Sequence, residues 1–216
     1  MEKFKIIIIA LFIISSSKIY PDIQGSLNNL RNSYREGNCI SIVKGASDII
    51  DSACGEILKN FYVMLPDLPD YTVSNTNGSY NFTIGDGLSD YSITAEKTFT
   101  GKDEIVTMTL SSSPFDVERY DNLIKGYEYL SDRGDYEKYS VNVRKKEYSY
   151  IIDRSSAYFT YTIETNSQSG EITSGLLFKI TFTKGVKTAE KKAALQESMN
   201  SFIGRLLGSS LLILLK

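Results

Sequence analysis

The chain has 216 residues, of which 42% are hydrophobic and 23% are charged, and its formal net charge is −2. These proportions are typical of a folded globular protein, and the length favours one domain with a sizeable core. The near-zero net charge gives no basis for a nucleic-acid partner, because phosphate binding depends on clustered basic residues. Histidine is absent, which excludes Ser-His-Asp and Cys-His catalysis and histidine-ligated zinc.

Cysteine is also too scarce for a thiolate zinc site, since the chain has only two. With no nucleophile motif and no phosphate-binding loop, the sequence predicts no identifiable catalytic residue, no metal site and no cofactor. The short basic cluster Arg144-Lys145-Lys146 lies between two strand patterns and is typical of a solvated turn.

The first residues have the pattern of a secretory signal peptide. A short, weakly positive start is followed by the apolar run 6–14 (IIIIALFII) and then by three serines. The run is well short of the roughly 20 apolar residues that a spanning helix needs. The pattern therefore predicts a signal peptide over residues 1–17. The rest of the chain is predicted to be an exported protein, periplasmic or secreted, with no stable membrane span after cleavage. Retention of the segment as an uncleaved anchor is the alternative.

A helical hairpin is predicted over residues 26–62. Ser26 is the candidate N-cap of a short first helix, Gly37 suits the position after its end, and Asn38 caps a second helix. The second helix has an apolar stripe that we expect to be buried against a sheet, and a second stripe beside it. The main stripe is Ile40, Val43, Ser47, Ile50, Cys54, Ile57 and Phe61, and the second is Ile42, Ala46, Ile49 and Ala53.

Cys39 and Cys54 are both placed on this second helix, fifteen residues apart. At the helical rise their Cα atoms would be about 22 Å apart, which is far beyond the reach of a disulfide. No disulfide is therefore expected. A bridge requires a break in the helix near Gly45, which is the alternative.

The Pro66 and Pro69 run ends the hairpin, and residues 71–184 then alternate in the manner of β-strands with one inserted helix at Ser113-Pro114. Short connections between strands predict an antiparallel sheet of about six or seven strands, covered by helices on one side. A C-terminal helix is predicted over 188–207. The fold class is therefore α+β, with residues 18–216 forming a single domain.

Four features of the sequence are candidate sites, each with a plainer interpretation. Residues 133–135 spell Arg-Gly-Asp, the tripeptide that integrins read, but a plain polar turn is the favoured interpretation. Turn carboxylates suggest a calcium site without the spacing of an EF-hand loop. Strand tyrosines suggest an aromatic surface, and two Asn-x-Ser/Thr sequons suggest glycosylation. The carboxylates are Asp86, Asp90 and Asp103, the tyrosines are Tyr148, Tyr150, Tyr158 and Tyr161, and the sequons begin at Asn77 and Asn81.

The run Leu65-Pro66-Asp67-Leu68-Pro69, the pair Tyr71-Thr72 and the start Ser113-Pro114-Phe115 occur in a recognisable order. This order resembles a loose group of exported bacterial proteins of unknown function, with a signal peptide, a helical hairpin, a Leu-Pro-x-x-Pro run and antiparallel strands. That group tends to carry Trp-Thr where this chain has Tyr71-Thr72. The resemblance implies a periplasmic address and no known activity.

The functional prediction is an exported, non-catalytic binding or interaction protein, whose partner is an unknown protein or envelope ligand. The alternative is a histidine-independent envelope enzyme that depends on carboxylates or a metal. A concave pocket with two or more convergent carboxylates would favour the enzyme, and a filled sheet face without a cavity would favour the binding protein.

Overall fold

The computed structural model describes residues 21–68, 70–84, 89–127, 136–165, 172–186 and 188–209. The chain divides into two compact units, with the boundary between Ile57 and Leu58. The helices of the described residues are α1 (Pro21–Arg35), α2 (Cys39–Met64), α3 (Pro114–Lys125) and α4 (Ala189–Gly208). The strands are β1 (Thr72–Ile84), β2 (Ser89–Thr100), β3 (Ile105–Ser111), β4 (Glu137–Val143), β5 (Lys146–Ile152), β6 (Ser156–Thr165) and β7 (Ile172–Phe182).

In the first unit, the turn between α1 and α2 forms as the sequence predicts. Gly37 has a φ of 66°, which glycine adopts without steric cost, and the Asn38 side chain accepts a hydrogen bond from the Ser41 amide at 3.1 Å. The predicted start of α1 is wrong, because the helix already begins at Pro21 and Ser26 lies inside it. Proline is favoured at the first helical position, where its missing N–H costs nothing.

The predicted burial of the main stripe of α2 is also wrong at its N-terminal end. Ile40 is 83% exposed and Val43 is 71% exposed. In the second stripe, Ile49 is 5% exposed and packs with Leu27 and Leu30 of α1, while Ile42, Ala46 and Ala53 are half-buried.

Gly45 of α2 lies beside Leu30 of α1. A Cβ at Gly45 would lie 3.4 Å from the Leu30 side chain, which is an ordinary contact distance, so the approach of the two helices does not require a glycine there. Apolar periodicity shows that a helix has apolar stripes, but it does not decide which stripe is packed.

In the second unit, the strands form one seven-stranded antiparallel sheet in the order β1-β2-β3-β7-β6-β5-β4. The chain runs through β1, β2 and β3 in turn, passes through α3 to β4 at the far edge, and returns strand by strand to β7 beside β3. The predicted α+β class and the seven-stranded antiparallel sheet are therefore confirmed. Arg144 and Lys145, both with positive φ, form the predicted turn between β4 and β5.

Helices cover both faces of this sheet, so the prediction of helices on one side is wrong. Phe202 of α4 stacks on Phe178, whereas Val117 of α3 packs in one cluster with Leu177. Adjacent residues of a strand point to opposite faces, so α3 and α4 lie on opposite sides. We call these sides the α4 face and the α3 face. The cause is topological. The connection from β3 to β4 must pass over the sheet to its far edge, and α3 makes that passage on the face that α4 does not cover.

The start of α3 follows its sequence signal. Ser113 accepts a hydrogen bond from the Asp116 amide at 3.4 Å, and Pro114 is the first helical residue. At Gly175 of β7 a Cβ would lie 2.7 Å from Val117, so this glycine lets α3 approach the sheet. The fold therefore fixes the position of both covering helices by specific side chains.

Candidate functional site

The second unit contains a cleft of about 410 Å³ between one face of α4 and the segment that leads from α2 to β1. Both walls carry charged side chains, and the interior carries apolar ones. The lining residues are Pro66, Asp67, Leu68, Asp70, Tyr71, Phe182, Glu190, Lys191, Ala194, Glu197, Ser198, Ser201 and Arg205.

The first wall is a short extended segment that begins where α2 ends. Pro66 follows the last helical residue by two positions, since the residue before a proline is disfavoured in helical conformation. Leu65 and Leu68 are buried and anchor the segment, and the Tyr71 amide donates to the Leu68 carbonyl at 3.4 Å. The segment is therefore held at both ends, with Asp67 and Asp70 between the anchors.

The second wall is the solvent-facing side of α4. The Thr188 side chain caps the helix by accepting a hydrogen bond from the Lys191 amide at 3.3 Å. The predicted start of the C-terminal helix at residue 188 is therefore confirmed. The opposite side of the helix is fully buried on the sheet through Leu195, Met199, Phe202, Ile203 and Leu206. Because those side chains fix the helix, residues three and four positions apart on its other side line the cleft in a row.

A buried carboxylate joins the two walls. The side chain of Glu104, in the β2–β3 connection, is 6% exposed and receives the Lys191 ammonium of α4 at 2.6 Å. It also accepts from the Tyr71 hydroxyl at 3.1 Å and from the Lys184 amide at 3.2 Å. One carboxylate thus holds three segments, which come from before β1, after β7 and the first turn of α4.

Burial alone would raise the pKa of Glu104, but the hydrogen bonds from Lys191 and Tyr71 outweigh it and hold that pKa below its ordinary value. Burial raises the pKa of the Tyr71 hydroxyl, and the bond to Glu104 raises it further. At neutral pH the pair is therefore an ionised acceptor and a protonated donor. This arrangement stabilises structure and does not supply a proton.

At the outer rim, Asp67 forms an ion pair with Lys97 of β2. The hydrogen bond from Lys97 lowers the pKa of Asp67, and the charge of Arg205 lowers it further. Because the Asp67 side chain is 85% exposed, this pair contributes little to stability. Its consequence is that Asp67 stays ionised at the mouth of the cleft, with its charge paired by Lys97.

The chemistry available at the cleft is that of carboxylates, hydroxyls and two cations. Within the described part of the chain, no group of three or more His, Cys, Asp or Glu side chains is arranged to hold a metal ion. The arrangement is suited to binding a polar ligand by charge and hydrogen bonds over an apolar interior.

The candidate carboxylates for calcium are not brought together among the described residues. Asp103 lies exposed in the β2–β3 connection. Asp86 lies outside the described residues, and for Asp90 only the backbone, in β2, is described. The tripeptide at 133–135 also lies outside the described residues.

The predicted tyrosines divide between the faces, as strand alternation requires. Tyr148 and Tyr161 stack on the α4 face with ring centroids 6.4 Å apart, and burial raises the pKa of Tyr150 on that face to about 12. Tyr158 is on the α3 face, where it stacks on Tyr120 and donates to Asp153. Most of this set is part of the packing between helices and sheet.

The structure also locates the two cysteines and the two sequon asparagines. Cys39 is exposed and Cys54 half-buried, both in α2 and both free thiols. The sequon residues Asn77 and Asn81 are exposed on β1, which is an edge strand.

Glu104, Lys191 and the cleft that they organise were not predicted from the sequence. Two partners of Glu104 are distant along the chain: Tyr71 is 33 residues away and Lys184 is 80 residues away. No local periodicity connects such positions. The available signal was weak: a single glutamate directly before a buried strand, where an unpaired charge would be costly.

Comparison with protein-family models, with curated proteins and with solved structures found no match for this chain. The resemblance to exported bacterial proteins therefore stays a prediction. Among the helices of the described residues, none has the length and apolar character needed to cross a membrane.

Proposed function

We propose that this chain is an exported, non-catalytic binding protein and that its ligand occupies the cleft between residues 66–71 and α4. The observation that carries the proposal is a cleft of about 410 Å³ whose two walls are joined by buried Glu104. Its volume falls within the roughly 300–1,000 Å³ typical of small-molecule sites. A site whose walls are already fixed loses less entropy when a ligand binds.

A cleft-filling variant with a matched control tests this proposal. Ala194 and Ala193 are adjacent, exposed residues of α4, but only Ala194 lines the cleft. Ala194→Trp should fill the cleft, whereas Ala193→Trp adds the same side chain beside it. Each protein is purified from its native cell, and bound small molecules and envelope proteins are identified by mass spectrometry.

We expect the wild type and Ala193→Trp to retain the same component, and Ala194→Trp to lose most of it. Melting temperatures that agree within a few degrees would show that all three proteins fold. Equal retention by Ala194→Trp would contradict the proposed site, and a wild type that retains nothing would contradict the binding function.

Export is tested separately by cell fractionation with N-terminal sequencing. The expected result is an extracytoplasmic protein that begins near residue 18, after the apolar run. A cytoplasmic chain that still begins at Met1 would contradict export. An envelope protein with an intact N-terminus would support the uncleaved anchor and contradict the signal peptide.

A carboxylate-dependent enzyme is the second candidate, and the cleft meets the condition stated for it above, a concave pocket with two or more carboxylates, because four of its lining residues are acidic. A general acid needs a pKa raised towards the working pH. At this site the carboxyl pKa values of Asp67 and Glu104 are lowered, which suits fixed anions better. Turnover of a bound component by the wild type, with loss of turnover but not of binding in Glu197→Gln, would establish the enzyme instead.

A further inference from the structure

The walls of the cleft carry more negative than positive side chains. Four carboxylates line it and only two cations do, so a ligand inside meets a net negative environment. The carboxylates belong to Asp67, Asp70, Glu190 and Glu197, and the cations to Lys191 and Arg205.

One of the two cations and one of the four carboxylates are already paired. Lys191 donates to buried Glu104, and Asp67 forms an ion pair with Lys97. Among the described residues, Arg205, Asp70, Glu190 and Glu197 form no ion pair, which leaves three carboxylates and one cation unpaired in the cleft. The charge available to a ligand is therefore negative.

A buried hydroxyl gives an independent reason to expect a polar ligand. Ser198 is only 6% exposed, yet it lines the cleft. It forms no hydrogen bond with the described part of the chain. Its hydroxyl is open to the cleft and is not sealed inside the protein, so an N–H donor on a ligand can reach it.

The interior of the cleft is apolar between these polar groups. Leu68 and Phe182 are buried and line it, and Ala194 adds a methyl group from α4. Aliphatic carbon atoms pack favourably against such side chains, while an ammonium group can reach the carboxylates at the rim. The combination fits an aliphatic chain that carries positive charge.

We propose that the cleft binds a primary ammonium group carried on an aliphatic chain, as in a free polyamine or the side chain of lysine. The assignment rests on the proposed binding function. Glu190 and Glu197 receive the ammonium, Ser198 accepts an N–H, and the chain lies along Leu68 and Phe182.

Isothermal titration of the protein as the cell makes it, with spermidine as the probe, tests the assignment. We expect one bound spermidine per chain, with binding that weakens as salt screens the charges. The double variant Glu190→Gln/Glu197→Gln should bind about tenfold more weakly or worse, because charge-assisted hydrogen bonds are lost. Glu118→Gln, which changes a partly exposed glutamate of α3 outside the cleft, is the control and should bind normally.

A short trilysine peptide and the dicarboxylate succinate form the other arms. Tighter binding of spermidine identifies a free amine, and tighter binding of trilysine identifies a peptide side chain; both support the ammonium chemistry. Failure of both amines to bind, or unchanged binding by the double variant, overturns it. Succinate binding that Ala194→Trp abolishes would overturn the cationic ligand while leaving the binding function intact.

Discussion

The two faces of the central strands differ more than any other pair of regions in this molecule. On the α4 face, Met108, Phe178 and Ile180 are completely buried. On the α3 face, their strand neighbours Thr109 and Lys179 are half-buried. One pair of strands therefore presents a packed apolar layer on one side and hydroxyl and amine groups on the other.

The reason is the extent of the covering helix. On the α3 face, α3 covers β5, β6 and β7, where Ile151, Tyr158 and Leu177 are buried with Val117. On β2 and β3 the same face carries threonines at 94, 98, 107 and 109. Threonine suits a strand because it is β-branched, and its hydroxyl can remain hydrated. On this face the strands are apolar where α3 covers them and carry threonines where it does not.

Phe202→Ala should produce the largest effect and would test how far the α4 face dominates stability. The Phe202 ring stacks on Phe178 with centroids 3.8 Å apart and meets Phe159 edge-on at 6.4 Å. Truncation removes both contacts and leaves a cavity, so the free energy of unfolding should fall by about 3–5 kcal/mol. Urea denaturation measures it. Asn200→Ala, at an exposed position of the same helix, should stay within about 0.5 kcal/mol; equal losses would contradict the comparison.

Glu104→Gln should rank second, because it leaves Lys191 without its buried partner. Removal of one member of a buried ion pair costs about 3 kcal/mol or more. The measurement is the free energy of unfolding of wild type and variant by urea at pH 7. A loss below about 0.5 kcal/mol would contradict the role of Glu104 in joining the walls of the cleft.

Comparison of wild type with Glu104→Gln also tests how the free energy of unfolding depends on pH. Since the folded pKa of Glu104 is lowered from the model-peptide value of 4.5, its contribution is present above that value and is lost as the pH falls through the folded pKa. The difference between wild type and Glu104→Gln should therefore be constant near neutral pH and shrink below about pH 4.5. A difference that stays constant down to pH 3 would contradict the lowered pKa.

Much of the fold was accessible from the sequence because its signals are local. Alternation in the strands, the Ser113-Pro114 start and the Gly37-Asn38 turn each depend on a few neighbouring residues, and each is confirmed. The burial of Ile40 was predicted wrongly, because the periodicity of α2 shows two apolar stripes and does not decide which of them is packed.

The cleft was not accessible in the same way. It depends on Glu104, whose contacts to Tyr71, Lys184 and Lys191 exist only after the sheet and α4 have assembled. The side of the sheet that α3 covers was missed for the same reason, since crossing direction is a property of the whole topology. Local patterns predict elements, whereas a site made by distant residues requires the assembled fold.

Thr109→Ala should have the smallest effect and is the sharpest test of the comparison, because Met108 beside it serves as the control. Thr109 lies opposite Lys179 on β7, on the polar side of the sheet, whereas Met108 lies opposite Ile180 in the apolar layer. Thr109→Ala should therefore change the free energy of unfolding by less than about 1 kcal/mol, mainly through lower strand propensity. Met108→Ala should cost about 2–5 kcal/mol, since a buried side chain is removed. Similar losses in the free energy of unfolding for the two variants would contradict this comparison. Such a result would mean that the threonine side of the sheet is covered in the native protein, so that the two faces differ in chemistry and not in burial.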